Sequence, residues 1–573
     1  MTTEPTNHRG PGDEFNPNDR PNDRPNDRPT DRPAGQPDDQ PINESDLNGD
    51  EDFSPEDLTP GQFPATDEDQ QQLTVVPTSA QPAIPRDRLT PDGRFKSGRL
   101  AGLTLGPALW VLSWPIITES FLNSLVGLVD TMLAAGLPDG EAATDAIGGA
   151  SYIMWLIGLV IMALGIGATA LVSRSVGKSR LAVAGTIVGQ TATLALIAGV
   201  LVGAFVFVAA PLVVDVLQMP PAVAEYFRDY MRIIALGVPF ATMLFGMIAC
   251  ARGAGDSISP LTAMIVRNIV NIAVSWCASG ANIFGHAPPV SLDMGVTGIA
   301  LGTVAGDIAG MLVILSQARS GRWGIRLRLK RMRLHWITVR RIVRLGVPNF
   351  FETLGMWLGN FFIVAFVGSL ALQTGSAGYL GAHIIAIRIE AFSFLAGFAM
   401  GSAAATLAGQ YLGARRPDLA KRAVLIATGV AVAIMTLFGA AFILFPRAIT
   451  GLLSQQPTHL ELVPPLLIIC GCVQIPFALA IVLRSAMRGA GDAKAVMFIT
   501  WLTTYAVRLP LAYFISGVDL TLPGFLGGAT LVNPVPWEGS LTLLWIGICG
   551  ELVIRGIAFT VYFAKGRWLT VKV

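Results

Sequence analysis

The chain has 573 residues, of which 52% are hydrophobic and only 14% charged, and its mean hydropathy is +0.54. A soluble globular chain is about 25% charged, so this composition excludes an ordinary cytosolic enzyme, and apolar runs of about 18 or more residues mark membrane-spanning helices. The net charge of +1 averages two opposites: 21 acidic and 7 basic residues up to Asp92, then 19 acidic and 34 basic from Gly93 onward.

Residues 1–95 are rich in Pro, Asp, Asn, Gln and Thr, and from Pro17 to Pro33 they repeat the unit Pro-Asn-Asp-Arg. Such a segment buries too little apolar surface to offset its chain entropy, which predicts a disordered acidic tail. A solvated spacer is the plain reading; a regulatory or docking role is the other. No basic region followed by an apolar one opens the chain, so no cleavable signal is expected and the first helix directs insertion.

Twelve apolar segments follow, near 105–134, 148–172, 183–208, 231–250, 258–282, 296–317, 339–367, 380–409, 422–446, 464–487, 494–516 and 540–563. Alternate loops differ in charge. One set holds Arg174, Lys178, Arg180, Arg252, ten basic residues from Arg319 to Arg344, then Arg415, Arg416, Lys421, Arg422, Arg488 and Lys494. The other has only Arg228, Arg232 and Arg447. The positive-inside rule places the first set, and with it both termini, in the cytoplasm of a multi-pass cell-membrane protein.

The second half repeats the first. Arg252-Gly-Ala-Gly-Asp256 recurs as Arg488-Gly-Ala-Gly-Asp492, Val238-Pro239-Phe240 as Ile475-Pro476-Phe477, and Gly177 as Gly413. Pro115-Ile-Ile-Thr-Glu119 matches Pro348-Asn-Phe-Phe-Glu352, Gly306-Asp307 matches Gly550-Glu551, and Gly321-Arg-Trp323 matches Gly566-Arg-Trp568. Six matches in the same order outweigh the weakness of each. Each copy holds six helices, an even number, so the copies are parallel and related by a pseudo-two-fold axis along the membrane normal, with a cavity between them. The predicted fold is an all-α integral membrane protein: a tail at 1–95, lobes at 96–320 and 342–573, and a basic linker at 321–341. In the Arg-Gly-Ala-Gly-Asp loops the glycines permit a tight turn and the Asp is expected to cap the next helix.

These residues resemble the multidrug and toxin extrusion (MATE) family. The resemblance rests on His383-Ile-Ile-Ala-Ile-Arg-Ile-Glu390 through Ala408-Gly-Gln-Tyr-Leu-Gly-Ala414, on Val129-Asp130-Thr131, and on the paired Arg-Gly-Ala-Gly-Asp loops. It covers roughly residues 100–570. It implies export of an organic, usually cationic or amphipathic, compound in exchange for H+ or Na+. Carried over residue by residue, the family's cation site falls on Asp130, Asn271 and Thr303. The acid expected four residues after the Asn is Ser275 here; Asp307, one turn beyond Thr303, is the candidate to compensate for it. The tenth-helix acid has no counterpart near Phe477, so a second-lobe Na+ site is not expected.

The embedded charges give the same direction independently. An ionised group at the bilayer centre costs roughly 2.5–3.5 kcal/mol, so Glu119, Asp130, Asp307, Glu352, Glu390 and Glu551 need a reason to be there. Arg267, Arg388, Arg484, Arg508 and Arg555 are the embedded bases, four of them in the second half. Glu551 and Arg555 have the spacing of a helical ion pair. In the first half three acids face one base, the excess that a cation or proton site requires, because low dielectric favours a carboxylate that carries a proton or an ion. Glu119 and Glu352, each four residues after a proline in an opening helix, are expected with Glu390 at the substrate site; pairing with a neighbouring Ser, Thr or Arg is the structural alternative.

The five cysteines and five histidines form no metal or redox motif, so neither a catalytic residue nor a cofactor is expected beyond the coupling ion. The expected partners are a small organic substrate and the lipid bilayer, with no nucleic acid, and the working unit is a monomer. Two other readings remain at this point. A flippase for a lipid-linked precursor would need a cationic cavity, for which Arg388 and Arg508 are candidates, and a membrane-embedded enzyme or structural protein leaves the repeat unexplained.

Overall fold

The computed structural model describes residues 89–216, 219–282, 286–374, 378–521 and 530–571. The expectation of a disordered tail falls on residues outside these up to residue 88. Among the described residues eleven helices are long and apolar enough to cross a bilayer, and one bent pair makes a twelfth span.

The first lobe consists of α1 (Leu105–Ala135), α2 (Gly140–Gly177), α3 (Leu181–Val216), α4 (Pro221–Ala254), α5 (Ile258–Ser279) and α6 (Gly295–Ser320). The second consists of α7 (Trp336–Thr374), α8 (Tyr379–Gly413), α9 (Pro417–Leu444), the short α10 (Pro446–Leu453), α11 (Pro457–Cys472), α12 (Gln474–Gly489), α13 (Ala493–Trp501), α14 (Leu509–Ser516) and α15 (Leu541–Ala564). A two-residue antiparallel pair, β1 (Leu520–Thr521) with β2 (Thr530–Leu531), precedes α15. Six spans per lobe in the same order give the two parallel repeats.

Most helices outrun their apolar windows. The 38 residues of α2 span about 57 Å at 1.5 Å per residue, well beyond a hydrocarbon core of about 30 Å. Its first turns, with Glu141 and Asp145, are polar and still helical. Along α3, by contrast, Leu201, Phe205, Val208 and Leu212 are exposed. Such a face suits lipid and is untenable in water.

Two spans depart from a continuous rod. The tenth begins at Pro457, before the expected 464, and breaks into α11 and α12 with a 60° bend. Pro464 and Pro465 lie within α11, and Pro476 in the first turn of α12 has no N–H to bond back across the break. Its repeat mate Pro239 is carried inside an uninterrupted α4. The eleventh span passes from α13 to α14 through a π-helical turn, Leu502–Arg508, with Pro510 just beyond it. Trp501 Nε1 and Tyr505 Oη, one turn apart, fasten this turn to α7 by donating to the carbonyls of Phe351 (2.9 Å) and Gly355 (2.7 Å).

Packing reaches further toward the N-terminus than composition indicates. Leu89, Phe95 and Leu100 are buried, Phe95 stacks on Tyr411 with ring centroids 4.9 Å apart, and Arg99 pairs with Asp256 at 3.2 Å. The boundary placed at residue 95 therefore falls inside a packed segment that touches both lobes. Three apolar anchors five or six residues apart are too sparse to register as a periodic element. The linker is likewise shorter than 321–341, since α7 starts at Trp336.

Each lobe holds two buried clusters, one toward the end with the basic loops and one toward the opposite end. At the basic end the lobes are locked together. Arg174 Nη2 donates to the Ala490 carbonyl (2.7 Å), Thr406 Oγ1 to that of Arg252 (3.2 Å) and Gln410 Nε2 to that of Gly253 (3.1 Å). Gly177 and Gly413, repeat mates at the ends of α2 and α8, meet backbone to backbone. The turns after α4 and α12 place Gly255 at φ +90° and Gly491 at φ +96°, as the paired motif predicts. Asp256 caps α5, accepting from the amides of Ile258 and Ser259 at 3.0 Å. The second copy corrects the expectation: Asp492 makes no cap bond to α13 and instead accepts from Tyr562 Oη at 2.7 Å.

Candidate functional site

The first lobe encloses a cavity of about 620 Å3 in its half away from the basic end, walled by Asp130, Trp155, Tyr230, Arg267, Thr303 and Asp307 among others. Its polar side is built by the contact of α5 with α6. Gly298, Gly302, Gly306 and Gly310 form a stripe at four-residue spacing that receives the α5 backbone. A Cβ at Gly306 would lie 2.7 Å from the Arg267 carbonyl oxygen, so any side chain there would part the two helices.

This close approach joins the residues singled out in the sequence. Thr303 Oγ1 donates to Asp130 Oδ2 at 3.1 Å, and Asn271 Nδ2 donates to Thr303 Oγ1 at 3.1 Å and to Ser275 Oγ at 3.4 Å. Ser275 Oγ in turn donates to the Ile299 carbonyl at 3.2 Å. One turn along α6, Asp307 Oδ1 accepts from Arg267 Nε at 2.5 Å. All six side chains are buried. Asn271 and Thr303 donate in sequence toward Asp130, while Ser275 donates away from it, and among the described residues Asp130 Oδ1 and Asn271 Oδ1 have no hydrogen-bond partner. Buried acceptors without a donor are costly. These two oxygens are the open valences of the site, available to a proton or a cation. The formal charge of Asp130, Asp307 and Arg267 together is −1.

Glu119 and Glu352 occupy matching places and are both paired. Glu119 Oε1 accepts from Arg252 Nη2 at 2.5 Å. Glu352 lies 3.5 Å from Arg484 and 3.7 Å from Arg488, and Thr500 Oγ1 donates to it at 3.3 Å. Arg252 and Arg488 are themselves repeat mates, so the two halves reproduce one acid–base pair. Both arginines border a smaller space of about 160 Å3 between the lobes, whose walls include Thr169, Ser402 and Ser485 but neither glutamate. Facing across that space are two guanidinium groups, each backed by a carboxylate.

Glu390 stands apart on α8, against Cys470 of α11. Glu551 and Arg555 form the helical pair that their spacing predicts, at 2.6 Å, and Arg555 also donates to Thr503 and Thr504. Arg508 donates to Asn360 at 2.7 Å, and Arg388 is exposed. Several contributors carried no sequence signal: Tyr230 and Trp155 sit in apolar stretches without a motif. Arg252 and Arg488 were readable only as loop residues, although their recurrence in the repeat beside two recurring glutamates was the available clue.

The family model MatE matches residues 115–277 and again residues 348–514, one match in each lobe. The chain belongs to the MATE family. It is thus a multi-pass membrane protein of a multidrug efflux transporter family. Among MATE relatives, the probable multidrug resistance protein NorM of Thermotoga maritima is 24% identical over 457 residues, 80% of this chain and 92% of that protein. The multidrug resistance protein PmpM of Pseudomonas aeruginosa is 23% identical over 417 residues, 72% and 84% respectively. The fold is similar to that of the Vibrio cholerae MATE transporter VcmN in its bent form, with a TM-score of 0.69 at 18% identity over 81% of this chain and 97% of that one.

Proposed function

We propose that this MATE protein exports organic compounds, cationic or amphipathic in character, in exchange for H+ taken up at Asp130. The observation that carries the reading is the free Oδ1 of a buried carboxylate, opening on a cavity of about 620 Å3 and held in place by Thr303 and Asn271. Aromatic and apolar walls around a charged cluster of net −1, formed by Asp130, Asp307 and Arg267, suit an organic cation. A single proton cancels the net −1 of the cluster, whereas Arg267 in the same wall opposes a second fixed cation. Ser275, standing where the family pattern has an acid, removes a charge that Na+ would otherwise use. Asp307 acts through Arg267, keeping that guanidinium turned from Asp130. Glu119 and Glu352 act through Arg252 and Arg488 at the floor between the lobes, and Glu390 supports the second lobe.

The basic loops face the cytoplasm in this reading, so the locked end closes the cytoplasmic side and the described state is open outward. The protein works as a monomer, because each element of the site lies within one chain.

Reconstituted liposomes test the coupling. An imposed pH gradient is expected to drive movement of a cationic dye with no Na+ present. Transport that follows a Na+ gradient with the pH gradient collapsed overturns H+ coupling and returns the site to Na+. Orientation is checked in a background without the native cysteines. A cysteine at Glu141 is expected to react with an impermeant thiol reagent from outside the cell, and one at Arg328 is not; the reverse pattern inverts the topology.

A further inference from the structure

From Ile308 to Phe351 the chain has no acidic residue and ten basic ones. Retention of this loop on one side of the membrane requires only charge, but the loop is also built. Between Arg322 and Arg328 the side chains alternate: Trp323, Ile325 and Leu327 enter the first-lobe core while Arg322, Arg326 and Arg328 stay outside. The next turn, Leu329–Met332, is seated in a notch on α3 where Gly185 and Gly189 face Arg331. Gln190 Nε2 donates to the carbonyls of Arg331 (2.8 Å) and Arg333 (2.6 Å), Gln190 Oε1 accepts from the His335 amide (2.8 Å), and Thr193 Oγ1 donates to the Met332 carbonyl (2.7 Å).

Those anchors run from Gly185 to Thr193, roughly 6–18 Å along α3 from Leu181 at 1.5 Å per residue. The turn therefore lies beside the helix, at interfacial depth, rather than beyond its end. There Leu329 (66%), Leu334 (62%) and Trp336 (76%) are exposed among the exposed Arg328, Lys330 and Arg333. On α7 the exposed Arg340 and Arg344 continue the pattern with Val343 and Val347. Among the described residues, none of Arg328, Lys330, Arg333, Arg340 and Arg344 has a carboxylate partner. Burial, and then the charge of Arg328, holds the Arg331 guanidinium below its usual pKa. Large apolar side chains that suit acyl chains, interleaved with unpaired cations at phosphate level, call for one kind of partner.

We propose that this interlobe linker binds the anionic phospholipid headgroups of the leaflet on the basic side. Guanidinium groups engage the phosphate oxygens in pairs, while Trp336, Leu334 and Leu329 insert beside the acyl chains. The linker is the covalent connection between the lobes, so a lipid bound here ties α3 of one to the start of α7 of the other. The inference is independent of the transported compound and of the coupling ion.

Full-length protein in detergent is titrated with dioleoyl phosphatidylglycerol and, separately, dioleoyl phosphatidylcholine, and bound lipid is counted by native mass spectrometry. The wild type is expected to prefer phosphatidylglycerol. In the triple variant Arg328→Gln, Lys330→Gln, Arg333→Gln each lost charge removes roughly fivefold, about a hundredfold together at low salt, with phosphatidylcholine binding unchanged. A second triple variant, Arg415→Gln, Lys421→Gln, Arg422→Gln, removes as many cations from the same face and is expected to keep the preference to within about twofold. Absence of a preference in the wild type, or equal loss in both triple variants, overturns the proposal. Displacement of the lipid by inorganic phosphate at matched concentration does so too, since it identifies a free-phosphate site.

Discussion

Asp130→Asn is expected to abolish gradient-driven export while leaving substrate binding measurable and the fold intact. The asparagine carbonyl still accepts from Thr303, so the chain of hydrogen bonds through Asn271 and Ser275 survives, and the stability change should stay within about 1 kcal/mol. What is lost is the titratable oxygen of the first-lobe cluster that has no partner among the described residues. Dye binding to the purified protein and dye movement in liposomes separate the two effects. Gradient-driven movement at the wild-type rate in this variant removes Asp130 from the mechanism altogether. Asp307→Asn is the informative companion, because it frees Arg267 from its ion pair at 2.5 Å and leaves a buried guanidinium near Asp130. Coupling should weaken there even though Asp130 itself is untouched.

Glu352→Gln is expected to destabilise the protein by about 3 kcal/mol, read as a lower melting temperature of the detergent-solubilised protein. The side chain is fully buried, and it is the carboxylate nearest both Arg484 and Arg488. Removing its charge leaves two buried cations, and breaking a buried pair costs more than replacing the whole pair by apolar groups. Adding Arg484→Met should recover much of the loss, because apart from Glu352 the polar contact of Arg484 found among the described residues is the Met356 sulfur at 3.1 Å. Arg488 keeps Asn349 Oδ1 at 2.8 Å. An unchanged melting temperature in the single variant would show that water or lipid already compensates these charges, and the part assigned to the pair at the floor between the lobes would go with it.

The local elements were legible in the sequence. Spans near 20 apolar residues, alternating loop charge and a repeat with a slowly drifting offset are properties of neighbouring residues and of composition, and they specify helices, order and parallel halves. The same level of information exposes Glu551 and Arg555, which share a helix face by spacing alone, and the left-handed glycines after α4 and α12. Tertiary structure decided the partners. Whether Glu119 faces an open cavity or a guanidinium depends on where the Arg252 end of α4 lies relative to α1, and nothing within either helix encodes that. Asp256 and Asp492 share a motif, yet one caps a helix and the other accepts from Tyr562 of α15, because only the second lobe brings a tyrosine into reach. The break at Val473 and the unbroken α4 differ although both carry the repeated proline, so that proline alone does not decide whether a span breaks. The order of Leu89–Leu100 rests on Tyr411, Asp256 and the second-lobe core, more than 150 residues away in sequence. Contacts at such separation arise from packing, and a periodicity read along one segment does not contain them.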